Sequence, residues 1–436
     1  MRLLPDFLRE TNPRLRRSLL WATADAALFS AMDGLGAQAL GFYAVALGMS
    51  NLAIGLLGSV PFLAGSLSQL LSPVLERLCG SRKRAVLLGC LVHAVVWLLL
   101  PGVAHLPPGS GREALLVALV SVGTAGWFIT IPPWSSWMGD LVPAPLRSRF
   151  LAWRLLPCQL CSLAAILGMG WWMSGHEDRL KGEVAAFQFL FFLAAAFRLL
   201  SIACLAFQHE PAPSEAEPEA AVPPPREGFE RTAAFFALFH LVLFVSAPYF
   251  SPYMREVRLD YWRISWLLAM TPLAKMLFLP AWGRAAERYG NRRVILVSGM
   301  LTSFLPVLWM FSADWRWLLA VQAVNGMVWG GIELCELPYL WDHTSPSERT
   351  RKTAGYFSLR SLCDCLGGVL GDRAIGWHAV RFSGSGPAGA FRFSFLLSGI
   401  GRLGALLWGW RILKERQPER RHTGPRRVLA EVLTLR

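Results

Sequence analysis

Asp33, Lys275, Glu333 and Glu336 each lie inside a long apolar run of the sequence, where an ionisable side chain has little water to solvate it. A charge at the centre of a bilayer costs at least ~2.5–3.5 kcal/mol on insertion scales, so each of the four needs a partner, a water-filled cavity or a function. Acids at that depth can carry protons, since desolvation favours their neutral form. A lysine there can pair with an acid or bind an anion. Asp33 stands 12 residues into its run and Lys275 stands 12 residues before Glu287. Asp33 is therefore roughly 18 Å into its run, and Lys275 roughly 18 Å from the boundary at Glu287, at 1.5 Å per residue.

These positions make Asp33 the first candidate for proton coupling or for holding a substrate hydroxyl, with helix packing beside Gly34 and Gly36 as its structural alternative. Lys275 is expected to pair with Asp33 or with an anionic substrate. Glu333 is a second proton site, ahead of Glu336, which lies six residues from Asp342 at the end of the run. Gln159, Gln322, Asn325, Trp134 and Tyr249 are polar or aromatic groups at similar depth and could line a pathway, although aromatic belts at the interface are the commoner use of such rings. Arg360 and Asp364 are four residues apart, on one face of a helix, and are expected to neutralise each other. Arg198 and Arg402 are expected to have a structural duty.

The runs that carry these residues dominate the chain. It has 436 residues, 54% of them hydrophobic and only 17% charged, against ~25% charged in an average soluble chain. Disorder is excluded, and an ordinary soluble enzyme does not fit. Twelve stretches are long enough to cross a bilayer as helices: about 21–47, 52–75, 85–106, 113–137, 149–173, 185–207, 232–253, 264–283, 293–312, 316–337, 353–376 and 389–411. The eleventh is the weakest, because it carries Arg360, Asp364 and Asp372.

The net charge of +14 could suggest nucleic acid as a partner, but the basic residues sit mostly between apolar runs and in the tail. Most fall on one side of the twelve-span topology, which by the positive-inside rule places both termini in the cytoplasm. No nucleic-acid partner is expected, and membrane lipid is. The N-terminal stretch shows no cleavable leader, so the first span is expected to remain in the mature protein. Eight cysteines show no secreted disulfide framework. Phosphate-loop and zinc motifs are missing from the sequence, and no cofactor, metal or enzymatic activity is expected.

Residues 208–231 are rich in Pro, Ala and Glu and read as a linker. It divides six spans from six, and the halves are copies. Pro61 precedes Glu76-Arg77 by 15 residues, as Pro272 precedes Glu287-Arg288. Trp127 precedes Asp140 by 13 residues, as Trp329 precedes Asp342. Arg198-Leu199 matches Arg402-Leu403, and Arg147 and Arg149 match Arg349 and Arg351 behind a proline. Lys275 and Glu333 align with Ala64 and Ile131, so these charges are peculiar to the second half. The expected fold is all-α and polytopic, with twelve transmembrane helices in two pseudo-symmetric six-helix bundles: 1–207, the linker 208–231, 232–412, and a basic cytoplasmic tail 413–436.

The loop Gly283-Arg-Ala-Ala-Glu287-Arg288-Tyr-Gly290-Asn-Arg292-Arg293 resembles the signature of the major facilitator superfamily, and Glu76-Arg77-Leu-Cys-Gly80-Ser-Arg82-Lys83-Arg84 is the same motif with one extra residue. Both copies have Glu where the family usually has Asp. The motif reads as a cytoplasmic latch, in which a carboxylate at a helix end faces arginines of the next short loop. Asp140, Arg147 and Arg149, with Asp342, Arg349 and Arg351, extend it. The resemblance spans residues 15 to 412 and implies a secondary transporter in which the first, fourth, seventh and tenth helices line the cavity.

The function expected is therefore secondary active transport of a small polar organic solute by alternating access, coupled to protons, by a monomer in a bacterial inner membrane. Efflux of amphipathic compounds is an alternative, disfavoured by the absence of the Gly-Pro signature from span five. A non-transporting receptor or assembly protein with the same fold is another, for which the basic tail would supply a partner or lipid contact.

Overall fold

The computed structural model describes residues 12–142, 147–176, 180–211, 228–343, 346–382, 384, 386–414, 428–429 and 432–433. Among them the chain forms twelve helical segments: α1 (13–46), α2 (Asn51–Cys79), α3 (Arg82–His105), α4 (Ser110–Leu141), α5 (Arg147–Ser174), α6 (Leu180–Ala206), α7 (Phe229–Glu256), α8 (Tyr261–Tyr289), α9 (Asn291–Phe311), α10 (Trp315–Trp341), α11 (Pro346–Arg381) and α12 (Gly386–Ile412). Ten contain helices long and apolar enough to cross a membrane. The two outside that set are α1, which carries Asp25 and Asp33, and α11, which carries Arg360, Asp364, Asp372 and Arg373.

Starts and stops follow local chemistry. Side chains of Asn12, Ser81, Asp260 and Asp314 cap the first turns of α1, α3, α8 and α10 by accepting backbone N–H bonds. Gly80 ends α2 in the left-handed conformation, at φ 66°, as the glycine of a tight turn should. Gly283, another glycine of the signature, lies inside α8 with no close neighbour and makes no turn.

The chain divides into two compact units, 1–49 with 60–219 and 50–59 with 220–436. Within the first, α1 packs on α5 and α6, α3 on α4 and α6, and α2 on α4. Within the second, α7 packs on α11 and α12, α9 on α10 and α12, and α8 on α10. Each pairing is the other shifted by six helices, as a duplicated sequence requires. The first helix of each half also carries a short 3-10 turn at the equivalent place, Ala37–Ala39 in α1 and Ala247–Tyr249 in α7.

The interiors are matched in the same way. Arg198, 3% exposed, donates to Ser201 Oγ at 3.1 Å, and that hydroxyl donates to Asp25 Oδ1 at 2.7 Å. Arg402, also 3% exposed, donates to Ser398 Oγ, the Thr302 carbonyl and Ser246 Oγ at 3.0–3.1 Å. One arginine thus ties α6 to α1, and the other ties α12 to α9 and α7. Many large apolar side chains, among them Leu78, Phe207, Phe311 and Ile400, face outward instead. Buried arginines and hydroxyls with exposed leucines and phenylalanines suit a lipid-embedded protein, whose surroundings are as apolar as its core.

The charge-bearing α11 is held by close backbone approach. Side-chain atoms added at Gly367 and Gly371, four residues apart, would collide with the α7 carbonyl oxygens of Leu241 and Val245. Gly368 meets the short helix Asn51–Leu57 at Gly55, where a Cβ would stand 2.6 Å from Tyr249 Oη. Such small-residue faces let helices associate without a hydrophobic drive. Residues 428 and 432 of the tail are fully buried in the second unit's aromatic cluster with Phe229, Tyr289, Tyr339 and Leu413. The valines at those places seat part of a segment that composition alone would leave in solvent. Gly367→Val or Gly371→Val is expected to destabilise the protein by at least the ~1–3 kcal/mol of overpacking, because backbone cannot give way as a side chain can. A fall in the melting midpoint of the detergent-solubilised variants checks this.

Candidate functional site

Within the second unit, α7, α8, α10 and α11 surround a cavity of about 460 Å³. Helical spacing puts the lining residues there. Asn325, Trp329, Glu333 and Leu337 recur every four residues along one face of α10; Thr271 and Lys275 do so on α8, and His240 and Phe244 on α7. Glu336 and Arg360 complete the polar part of the wall, with Leu243 and Phe357 among its apolar residues.

The charges are paired across helices. Lys275 Nζ donates to Glu333 Oε2 at 2.8 Å, joining α8 to α10. Arg360 Nη1 donates to Glu336 Oε1 at 2.9 Å, and the buried Tyr356 hydroxyl donates to the same oxygen. His240 Nδ1 lies 3.1 Å from Asp364 Oδ1, with both side chains about 5% exposed or less. An ionised carboxylate only accepts, so that contact places the imidazole proton on Nδ1. The other ring nitrogen, Nε2, is buried with no partner.

Several sequence expectations change here. Arg360 and Asp364 make their direct contacts elsewhere: the first turns to Glu336 on α10 and the second to His240 on α7. Partners on neighbouring helices come closer than the i, i+4 neighbour. Lys275 takes Glu333 as its partner. Tyr249 does not line a pathway; it is fully buried and its hydroxyl donates to the Gly368 carbonyl at 2.6 Å, as a packing pin. Gln322, 9% exposed, is also structural, donating to the Leu267 carbonyl at 3.2 Å and accepting from Asn325 Nδ2 at 3.0 Å. Asn325 itself does reach the cavity.

In the first unit Asp33 is half-buried on α1, and its side chain has no hydrogen-bond or ion-pair partner among the described residues. Its neighbour Gly34 packs α1 against the Ser162 carbonyl of α5, and Gly36 packs against Trp97. The packing duty therefore belongs to the glycines. Gln159 is half-buried on α5. Trp134 lies under the Arg154 guanidinium, 4.9 Å from the ring centre, and packs on the first unit's core.

The sequence reading missed His240 and its link to Asp364, although a histidine inside an apolar run is the same kind of signal as Asp33. It also missed His93, which is 8% exposed, accepts from Trp97 Nε1 at 3.1 Å and stacks on Trp127.

The signature loops are wired differently from expectation. Arg82 donates to Asp140 Oδ2 at 2.5 Å, Ser136 Oγ at 3.1 Å and the Pro211 carbonyl at 2.9 Å. The carboxylate that joins it is Glu210, at the start of the linker, where Glu76 was expected. Glu210 accepts from Ser81 Oγ at 2.6 Å and from the Lys83 amide at 3.2 Å, with Arg82 Nε 3.7 Å away. Glu76 and the exposed Arg77 border the open groove beside it, with Gly80. In the second copy Arg292 donates to the Leu413 and Trp410 carbonyls at 2.6 and 2.9 Å, where α12 ends and has carbonyls to spare. Arg293 donates to the Tyr289 carbonyl at 3.4 Å, and Arg288 lies over the Tyr289 ring. Gly290 supplies the positive φ between α8 and α9. Glu287 and Asp342 are exposed, without a partner among the described residues. The side chains of Arg147, Arg149, Arg349 and Arg351 lie outside the described residues.

Burial pushes the Glu210 carboxyl up, but the Ser81 hydroxyl, the Lys83 amide and the Arg82 guanidinium outweigh it and hold the group below its usual 4.5. A depressed pKa contributes stability that is present above the unfolded value and is lost as pH falls through the folded one. Glu210→Gln should therefore lower the melting midpoint at pH 7, by about 1 kcal/mol of stability. The gap from the unsubstituted protein should close as pH falls below 4.5, and calorimetry across that range checks the sign.

Comparison with known proteins agrees with this architecture. Residues 232–435 match the family profile of the Major Facilitator Superfamily. Over 138 residues the chain is 22% identical to Multidrug resistance protein 3 of Bacillus subtilis (strain 168), a match that takes in 31% of this chain and only 27% of that protein. The fold is similar to a mutant form of the nucleoside transporter NupG, with a TM-score of 0.71 at 12% identity over 91% of this chain and 100% of that one. It is similar also to the xylose transporter XylE from E. coli, with a TM-score of 0.65 at 12% identity over 93% and 99% of the two chains. Duplicated six-helix units, paired signature loops and these matches converge on an integral membrane protein whose second half, residues 232–435, matches the Major Facilitator Superfamily.

Proposed function

We propose that this protein is a secondary active transporter that moves a small polar organic solute by alternating access, coupled to protons. The observation that carries this reading is a cavity in an apolar bundle walled by Lys275, Glu333, Glu336 and Arg360. Charges at such depth are expensive, and a hydrophobic cargo would have no use for them. The two bundles are 1–207 and 232–412, joined by the linker 208–231 and followed by the tail 413–436. The excess of basic residues on one side favours a bacterial inner membrane with both termini in the cytoplasm. Lipid is then the constant partner, and a monomer is sufficient for the function.

Asp33 and Glu333 are the candidate coupling groups. Glu333 already has Lys275 as its partner, whereas the Asp33 side chain has none among the described residues. Asp33 is therefore the first candidate. The efflux alternative draws on the partial match to a multidrug resistance protein. It would require amphipathic compounds to displace the paired charges of the cavity, which favours the polar solute.

In proteoliposomes with an imposed pH gradient, a solute panel should yield gradient-driven uptake that falls by at least ten-fold in Asp33→Asn. If that uptake is unchanged in both Asp33→Asn and Glu333→Gln, the coupling assignment is wrong. Increased resistance to several hydrophobic toxins on expression, with no accumulation of any polar solute, would select efflux instead.

A further inference from the structure

We infer that the solute held by the cavity of the second unit is a small zwitterion, carrying a primary ammonium and a carboxylate on one molecule. The inference rests on the transport reading above and adds the chemical class of the cargo.

The cavity is charge-balanced before anything enters it. Lys275 and Glu333 form one pair at 2.8 Å, and Arg360 and Glu336 form another at 2.9 Å. The Glu336 side chain is 7% exposed, and removing the partner of a charge buried in this way leaves it uncompensated, which is strongly unfavourable. A cargo with a single charge does the same, because the side chain it evicts has nothing to turn to. A zwitterion does not, since its ammonium takes over the carboxylate while its carboxylate takes over the cation. The site then stays neutral with every charge matched.

Unused hydrogen-bonding capacity points the same way. Glu333 spends Oε2 on Lys275, and its side chain is 54% exposed, so Oε1 is open to a donor. His240 Nε2 is buried, unpartnered and on a residue that lines the cavity. In the neutral ring, with its proton on Nδ1 toward Asp364, Nε2 carries a lone pair and accepts. Two acceptors without donors fit an ammonium with its three N–H groups. Arg360 gives Nη1 to Glu336 and retains further N–H groups of a fork whose geometry suits a carboxylate. Trp329 adds an aromatic face to the lining.

The test uses the full-length protein in detergent, with calorimetry and tryptophan fluorescence as readouts. The probes are α-amino acids and ω-amino acids of two to six carbons. Each is measured beside its deaminated acid, its decarboxylated amine and its N-trimethylated form, with neutral polyols of similar size for comparison. At least one amino acid should bind ten-fold or more tighter than both its acid and its amine. Trimethylation should weaken binding by a similar factor, because it leaves no N–H for His240. Glu333→Gln, at a partly exposed side chain, should narrow the preference for the zwitterion over its deaminated acid, with the melting midpoint of the same sample showing that the variant is folded.

Equal binding of the zwitterion and the deaminated acid would overturn the inference. So would tighter binding of a polyol, or a panel of zwitterions with no response by either method. The two readings fail separately. Zwitterion binding without flux in liposomes removes transport and keeps the site, whereas gradient-driven flux of a neutral or singly charged solute keeps transport and removes the zwitterion.

Discussion

A charge inside a helix bundle surrounded by lipid needs polar partners on other helices or a water-filled cavity, because the surrounding acyl chains can supply neither. Much of the internal order of the two units follows from that requirement. Arg198 and Arg402 occupy equivalent places in α6 and α12, and each is almost wholly buried. The first reaches the Asp25 carboxylate through the Ser201 hydroxyl. The second is surrounded by two hydroxyls and a backbone carbonyl, on three helices. A guanidinium with five N–H groups tolerates either solution, so duplicated anchors could diverge in partner while keeping their position.

The same requirement explains how α11 can belong to a membrane bundle while carrying Arg360, Asp364, Asp372 and Arg373. Its charged face is matched by Glu336 and His240, and its glycine face brings the backbone against α7 and the short helix at Gly55. Packing and charge matching therefore depend on one another. Close approach through Gly367 and Gly371 brings α7 near enough for His240 to meet Asp364, and a wider spacing would leave both in an apolar medium unpaired.

At the signature loops, the arginines act mainly on the ends of the sixth and twelfth helices. Arg82 and Trp137 hold the exit from α6, through the carbonyls of Pro211 and His209. Arg292 and Tyr339 hold the exit from α12, through those of Leu413 and Lys414. The carbonyls of a helix's last turn are short of donors, and a basic loop beside them supplies what is missing. The first copy adds a carboxylate from the linker, which the second copy has no counterpart for among the described residues.

The sequence alone determined the number and order of the helices, the duplication and which apolar runs carry the main charges. Each of these depends on short-range patterning: apolar runs of bilayer length, prolines and tryptophans at matched spacings, and ionisable residues interrupting a run. What it could not determine was which charges meet. Arg360 and Asp364 look like a pair along one helix, and Glu76 and Glu287 look like partners of the neighbouring arginines, because a linear pattern displays only neighbours along the chain. Across helices, a rotation of a few tens of degrees decides which side chains face each other. That rotation is set by where glycines and hydroxyls allow backbones to touch. The pairing of Lys275 with Glu333, of Arg360 with Glu336 and of His240 with Asp364 is therefore a property of the packed bundle, and so is the cavity they surround.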